Sequence, residues 1–180
     1  MPSSVPQYPY LPHNRTFSFV SLTHPMMQAA RHAAQQQSGC SWWQTGAVIV
    51  KDGTILGRGA NKGQWQPLCP RYEQGCGTGE GYELCKNICK QTGHAETTAI
   101  DDCLGQNNNP AHADLYLFGH WWCCENCWNT IIHHNISTVF LLKDAHTIFT
   151  RESRTRVKER IKTAIQKGET IEKNDVFWHI

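Results

Sequence analysis

His94 and Glu96 stand two residues apart, and further along the chain Cys124 and Cys127 form a Cys-x-x-Cys pair. One imidazole and two thiolates give Zn²⁺ three ligands and leave a fourth tetrahedral position open, which is what a catalytic zinc requires. Bound Zn²⁺ lowers the pKa of a coordinated water from about 16 to roughly 7, so hydroxide becomes available at neutral pH. Such a nucleophile can attack an amidine-like carbon such as C4 of cytosine. The adjacent ring nitrogen and the leaving amine must each then gain a proton. A single carboxyl group can take the proton from water and hand it on, the role that falls to Glu96. His94 would bind the metal in its neutral form. The i, i+3 spacing places the Cys124 and Cys127 sulfurs on one face of a helical turn, and a helix N-terminus favours the thiolate. Choosing Cys123 as the first ligand instead would pair it with Asn126, a poor zinc ligand.

These groups need elements to carry them. Residues 24–37 predict a helix, with Met26, Met27, Ala30, Ala33 and Ala34 near helical spacing and Gly39 as its stop. Residues 45–50 predict a buried strand, Asp52-Gly53 a hairpin turn and 54–59 the return strand. A helix is predicted over 94–104, with Ala95, Ala99, Ile100 and Cys103 toward the core. A polar turn over 105–110 and a strand over 113–118 follow. The cysteine pair opens a helix over 125–134, and 136–142 is again strand-like. Residues 151–167 predict a basic helix with Val157, Ile161 and Ile165 on one stripe. Arg154, Arg156, Lys158, Arg160 and Lys162 are read as its solvated face. Thr170 and Ile171 are the expected last strand. This alternation predicts an α/β sheet layered with helices, with the starts of the two motif helices side by side.

The 180 residues suffice for one domain with its own core. A formal net charge of +2 names no polyanionic partner. The N-terminal residues have no basic n-region followed by an apolar run, and no stretch approaches the ~20 apolar residues of a membrane span. Nine cysteines in such a chain point to metal binding in a reducing, cytoplasmic setting rather than to disulfides. The expected division is an N-terminal arm over 1–16, a zinc-dependent domain over 17–172 and a tail over 173–180. Within the domain, 61–91 is a Cys/Gly-rich insertion too long for an unanchored loop. A second zinc would anchor it. Cys85 and Cys89, at helical spacing, are a plausible half-pair, which Cys69 and Cys76 could complete; Cys40 is a rival ligand. The alternative is that several are reduced, half-buried thiols.

His94-Ala95-Glu96 with Ala99-Ile100, Cys124-Glu125-Asn126-Cys127, the hairpin 45–53 and Gly59-Ala60-Asn61 together resemble the cytidine/deoxycytidylate deaminase superfamily, and within it the deoxycytidylate deaminases. The similarity spans roughly 29–142. It implies a three-layer α/β/α fold with a mixed five-stranded sheet, usually oligomeric. It also implies zinc-dependent hydrolysis of a cytosine nucleotide, dCMP to dUMP with release of ammonia. By the same resemblance Asn61 would contact the sugar or phosphate of the substrate, and Ala95 would fall in the substrate site. Some of these enzymes hold a second zinc before the catalytic helix, with ligands near Cys40 and Cys69. His120, Trp121 and Trp122 are candidates for contacting or walling the substrate. The chain departs from the family at Cys123, where proline is usual, at Thr98, where asparagine is frequent, and in the longer, Trp-rich approach 116–122. Two other functions fit the same residues: deamination of another nucleoside, base, heterocycle or RNA base, and a non-catalytic zinc-stabilised interaction module.

Overall fold

The computed structural model describes residues 6–77 and 79–180. Five strands form one mixed sheet: β1 (Phe17–Val20), β2 (Gly46–Lys51), β3 (Thr54–Ala60), β4 (Asp114–Phe118) and β5 (Thr138–Leu142). Their order across the sheet is β1-β5-β4-β2-β3. β1, β5 and β4 run parallel, and β2 is antiparallel to both β4 and β3. The β2–β3 turn puts Asp52 at φ 49° and Gly53 at φ 76°, the two left-handed residues that a tight hairpin matched to strand twist requires.

Among the described residues, seven helices accompany the sheet: α1 (Pro25–Gln37), α2 (Pro70–Glu73), α3 (Tyr82–Asn87), α4 (Ala95–Gly105), α5 (Glu125–His133), α6 (Ala145–Ile148) and α7 (Arg151–Gln166). α1 starts on His24, whose ring Nδ1 accepts from the Met26 amide at 3.2 Å, with Pro25 in the first turn where its missing N–H costs nothing. Its small inner face lets the sheet approach closely: a Cβ on Gly46 would sit 2.3 Å from the Ala30 carbonyl. A Cβ on Gly59 would sit 2.2 Å from the Ala99 amide of α4. Gly46 pairs with Ala60, and Ala47 with Gly59. Successive residues of a strand face opposite sides, so α1 and α4 cover opposite faces of the sheet. The expected three-layer α/β/α arrangement is therefore the one observed.

The fifth strand differs from the sequence-based expectation. It is β1, paired with β5, whereas Thr170 and Ile171 lie outside any strand. Residues 173–180, set apart above as a tail, form a 3₁₀ turn over Lys173–Val176 and bury Val176, Phe177 and Trp178. Of the expected arm, residues 1–5 lie outside the described residues. Tyr8 packs on Phe17 with ring centroids 4.8 Å apart.

The basic face of α7 also differs. Arg154 is 1 % exposed and Lys158 is buried with it. Arg154 donates to the carbonyls of Trp42 and Val176, the latter at 2.6 Å, and to Gln44 Oε1 at 3.1 Å. Its guanidinium stacks 4.4 Å from the centre of the Trp178 ring. The cation thus replaces a hydrophobic anchor and ties α7 and the C-terminal residues to the loop before β2. Arg154→Met strips buried carbonyls of their donor, a loss of about 3 kcal/mol. The midpoint of thermal unfolding is expected to fall by about 6–12 °C; an unchanged midpoint by calorimetry contradicts the anchoring role.

Candidate active site

His94 and Cys124 occupy equivalent positions, each the N-cap of a motif helix with extended backbone: φ −82°, ψ 164° before α4, and φ −69°, ψ 164° before α5. α4 and α5 start side by side, so the three ligand atoms converge. His94 Nδ1 lies 3.5 Å from Cys124 Sγ and 3.4 Å from Cys127 Sγ, and the two sulfurs are 3.3 Å apart. Tetrahedral zinc with Zn–S of 2.3 Å and Zn–N of about 2.0 Å needs edges of roughly 3.5–3.8 Å. The near-equilateral triangle therefore fits one ion, and the donor set is the one zinc favours.

The electrostatics of this triangle are those of a cation site. The hydrogen bond with Cys127 draws the Cys124 thiol down to about 4, and His94 adds to the effect. Cys127 is pushed in the opposite direction, first by that same bond and then by burial. The pair thus retains one proton that a metal would displace. Glu96, in the first turn of α4, is 4 % exposed. Burial raises its carboxyl above the usual range, while His94 and the buried Cys123 thiol beside it pull it back. Thr98, where the family often has asparagine, points its hydroxyl into the α4–β3 contact, donating to the Ala60 carbonyl at 2.8 Å.

The other expected site residues are placed as follows. Asn61 is a loop clamp: its Oδ1 accepts from Ser38 Oγ at 2.6 Å and from the Thr45 amide at 3.1 Å, and its Nδ2 donates to the Trp43 carbonyl at 2.6 Å. Ala95, the first residue of α4, is buried. His120 accepts the Trp121 amide on Nδ1 at 3.1 Å. Burial, with His94 nearby, lowers its pKa to about 4. It is therefore neutral and presents its Nε2–H. Trp122 meets the His120 ring edge-on at 5.6 Å, and Trp121 packs toward Tyr8 at 6.0 Å.

The 61–91 insertion is not without structure, since it carries α2 and α3. Cys40, Cys69, Cys85 and Cys89 line one cavity of about 10 Å³, room for a single water-sized sphere. Cys76 is not among them; its sulfur packs on Gly81. Cys69 is drawn down to about 6, first by a hydrogen bond with Cys40, with the Lys158 charge contributing. All nine cysteines are free thiols.

Two residues near the triangle had no motif to mark them. Tyr82, at the start of α3, lies with its ring 5.8 Å from that of His94. The Arg71 guanidinium stacks 4.3 Å from the Tyr82 ring on α2. Arg71 is two residues beyond Cys69 and Tyr82 three before Cys85; only this adjacency to the cysteines could have flagged them.

An α/β/α sandwich that presents one imidazole, two thiols and a buried carboxyl at paired helix N-termini defines the zinc-binding, deaminase-type class of fold. The model for the cytidine and deoxycytidylate deaminase zinc-binding region matches residues 21–143. The chain belongs to that family, and with it to the hydrolytic deaminases. No curated protein matches it. Among solved structures it is similar to the dCMP deaminase of cyanophage S-TIM5 in its apo form, at 22% identity and a TM-score of 0.43, over 71% of this chain and 92% of that one. The same phage enzyme in complex with dCMP and dUMP aligns at 21% identity and a TM-score of 0.45, over 83% and 98%. Guanine deaminase from Bacillus subtilis aligns at 21% identity and 0.40, over 68% and 66%. Among the described residues, no helix is long and apolar enough to cross a membrane.

Proposed function

We propose that the protein deaminates a cytosine nucleotide, with dCMP converted to dUMP and ammonia. The observation that carries this is the His94–Cys124–Cys127 triangle with buried Glu96 beside it, in a chain of the cytidine and deoxycytidylate deaminase family. His94 Nδ1 and the Cys124 and Cys127 thiolates would hold a zinc ion. Zinc bound there would supply a coordinated water with a pKa of about 7, ready for attack at neutral pH. Glu96 accepts the water proton and delivers it to N3 of the base. It then takes the proton of the hydroxyl now bound to C4 and passes it to the exocyclic nitrogen, so that the C4–O bond becomes the carbonyl as the C4–N4 bond breaks and ammonia leaves. The half-buried Trp121, Trp122 and neutral His120 wall the site, which limits competing water.

A second zinc in the Cys40, Cys69, Cys85 and Cys89 cavity is part of the same proposal, and it requires these sulfurs to draw in, because among the described residues only the His94 triangle brings three ligand atoms within 4.8 Å of one another. Support comes from Lys158. Its ammonium is buried and hydrogen-bonds to nothing among the described residues, resting 3.7 Å from the Tyr72 ring centre. A buried ammonium with aromatic faces but no hydrogen-bond acceptor is costly. Four thiolates around one Zn²⁺ carry a net negative charge, and Lys158 lies within reach of Cys69 and Cys40.

The test is ammonia release from the zinc-loaded protein across cytosine, adenine and guanine bases, nucleosides and mono- and triphosphates. The expected outcome is the highest kcat/KM for dCMP. Preference for a purine or an unphosphorylated compound contradicts the substrate assignment. Zinc without turnover of any compound contradicts catalysis.

A further inference from the structure

The insertion does more than fill a gap between β3 and α4: it hangs two side chains over the metal triangle. Tyr82 turns its ring toward His94 at 5.8 Å and is 42% exposed, so it stands at the mouth of the site rather than within the core. Arg71 lies on that ring at 4.3 Å. Its guanidinium is therefore no further from the His94 ring than these two spans together. That is the order of separation between the amidine carbon of a nucleotide base and its own 5′-phosphate.

Arg71 is held by one carbonyl oxygen and one sulfur. Its Nε donates to the Glu80 carbonyl at 2.7 Å, which fixes the plane of the fork. The guanidinium also hydrogen-bonds the Cys85 thiol; among the described residues its Nη groups donate to no oxygen and it belongs to no ion pair. Arg is the side chain whose planar fork matches phosphate oxygens in pairs. Because the whole chain carries a net charge of only +2, long-range attraction for a nucleotide is weak. Recognition of phosphate then has to come from a local cation.

We infer that Arg71 binds the 5′-phosphate of the nucleotide, with Tyr82 as the wall between phosphate and metal triangle, making the insertion the element that selects nucleotides over nucleosides. This rests on the cytosine-nucleotide reading above. It also gives the four-cysteine cavity a purpose. α2 begins at the residue after Cys69, and α3 contains Cys85. A metal there would hold both helices, and with them Arg71 and Tyr82, in place.

The test compares kcat/KM for dCMP and for deoxycytidine in zinc-loaded wild type, Arg71→Ala and Arg71→Lys. The ratio of the two is expected to fall by about 10- to 100-fold in Arg71→Ala, mostly through KM for dCMP. Arg71→Lys, which keeps the charge but not the fork, should recover part of it. In the wild type, phenylglyoxal labelling of Arg71, mapped by mass spectrometry, should be blocked by dCMP or dUMP and not by deoxycytidine. This second measurement stands even if the variants fold poorly. Turnover of dCMP by wild type with an unaltered ratio in folded Arg71→Ala, or labelling of Arg71 indifferent to dCMP, overturns the assignment of Arg71 alone. A zinc-loaded wild type that turns over neither compound overturns the nucleotide reading, and this inference with it.

Discussion

Glu96→Ala is expected to lower kcat for cytosine-nucleotide deamination by about 10³-fold or more while the zinc content of the protein stays at the wild-type level. A positioned acid–base group contributes about 10²- to 10⁴-fold to a single proton transfer. Glu96 serves the water, the ring nitrogen and the leaving amine in turn, so the loss belongs at the upper end. Zinc should stay because its ligand atoms are those of His94, Cys124 and Cys127, which converge without help from the Glu96 carboxyl. Glu96→Gln is the stricter variant. It keeps the buried volume and can still hydrogen-bond, yet it can neither take nor give a proton. Near-normal turnover in either variant, measured by ammonia release, removes Glu96 from its role. Loss of zinc along with activity would show instead that the carboxyl helps hold the ion. A fall in kcat with little change in KM is the expected pattern, because the proton is in flight only in the transition state.

The triangle was legible in the sequence because its geometry is local. A helix start at His94 and another at Cys124 each follow from short-range signals, and strand–helix alternation brings them together. β1 was missed for the opposite reason. Phe17–Val20 is four residues long, follows a proline-rich stretch and pairs only with β5; with Phe19 half exposed, it shows no clean pattern of its own. Arg154 and Lys158 were read as solvated because charged residues at helical spacing usually are. Their partners are carbonyls and aromatic rings from Trp42, Tyr72, Val176 and Trp178, distant in sequence and not themselves charged. The same contacts explain the C-terminal residues: Trp178 donates its Nε1–H to the Gln44 carbonyl at 2.8 Å. Within the insertion, the cysteines were visible but their grouping was not. That Cys40 joins Cys69, Cys85 and Cys89 while Cys76 stays outside depends on how the chain folds back beneath α7.

Replacing Cys85 and Cys89 together by serine is expected to reduce bound zinc from close to two ions per chain to close to one, with the remaining ion in the His94 site. Serine hydroxyls do not ionise at neutral pH and are poor zinc ligands, so two of four donors are lost while side-chain volume is nearly kept. A structural zinc in a small peptide supplies about 10–16 kcal/mol of apparent folding energy. This protein has a packed sheet core apart from the insertion, so only a fraction, about 3–5 kcal/mol, should appear in global stability. That corresponds to a fall of roughly 6–20 °C in the unfolding midpoint. The local effect should be larger than the global one. Amide hydrogen exchange over 61–91 is expected to accelerate while β2, β4 and β5 stay protected. Without the metal, Lys158 would also keep its buried charge and lose its counter-charge, which adds to the cost. Cys76→Ser is the control: its sulfur lies outside the cavity, and zinc content should not change. A wild-type stoichiometry of one, or two ions retained by the Cys85/Cys89 double variant, contradicts the second site. In that case the cavity is a cluster of reduced thiols, and the placement of Arg71 and Tyr82 must come from packing alone.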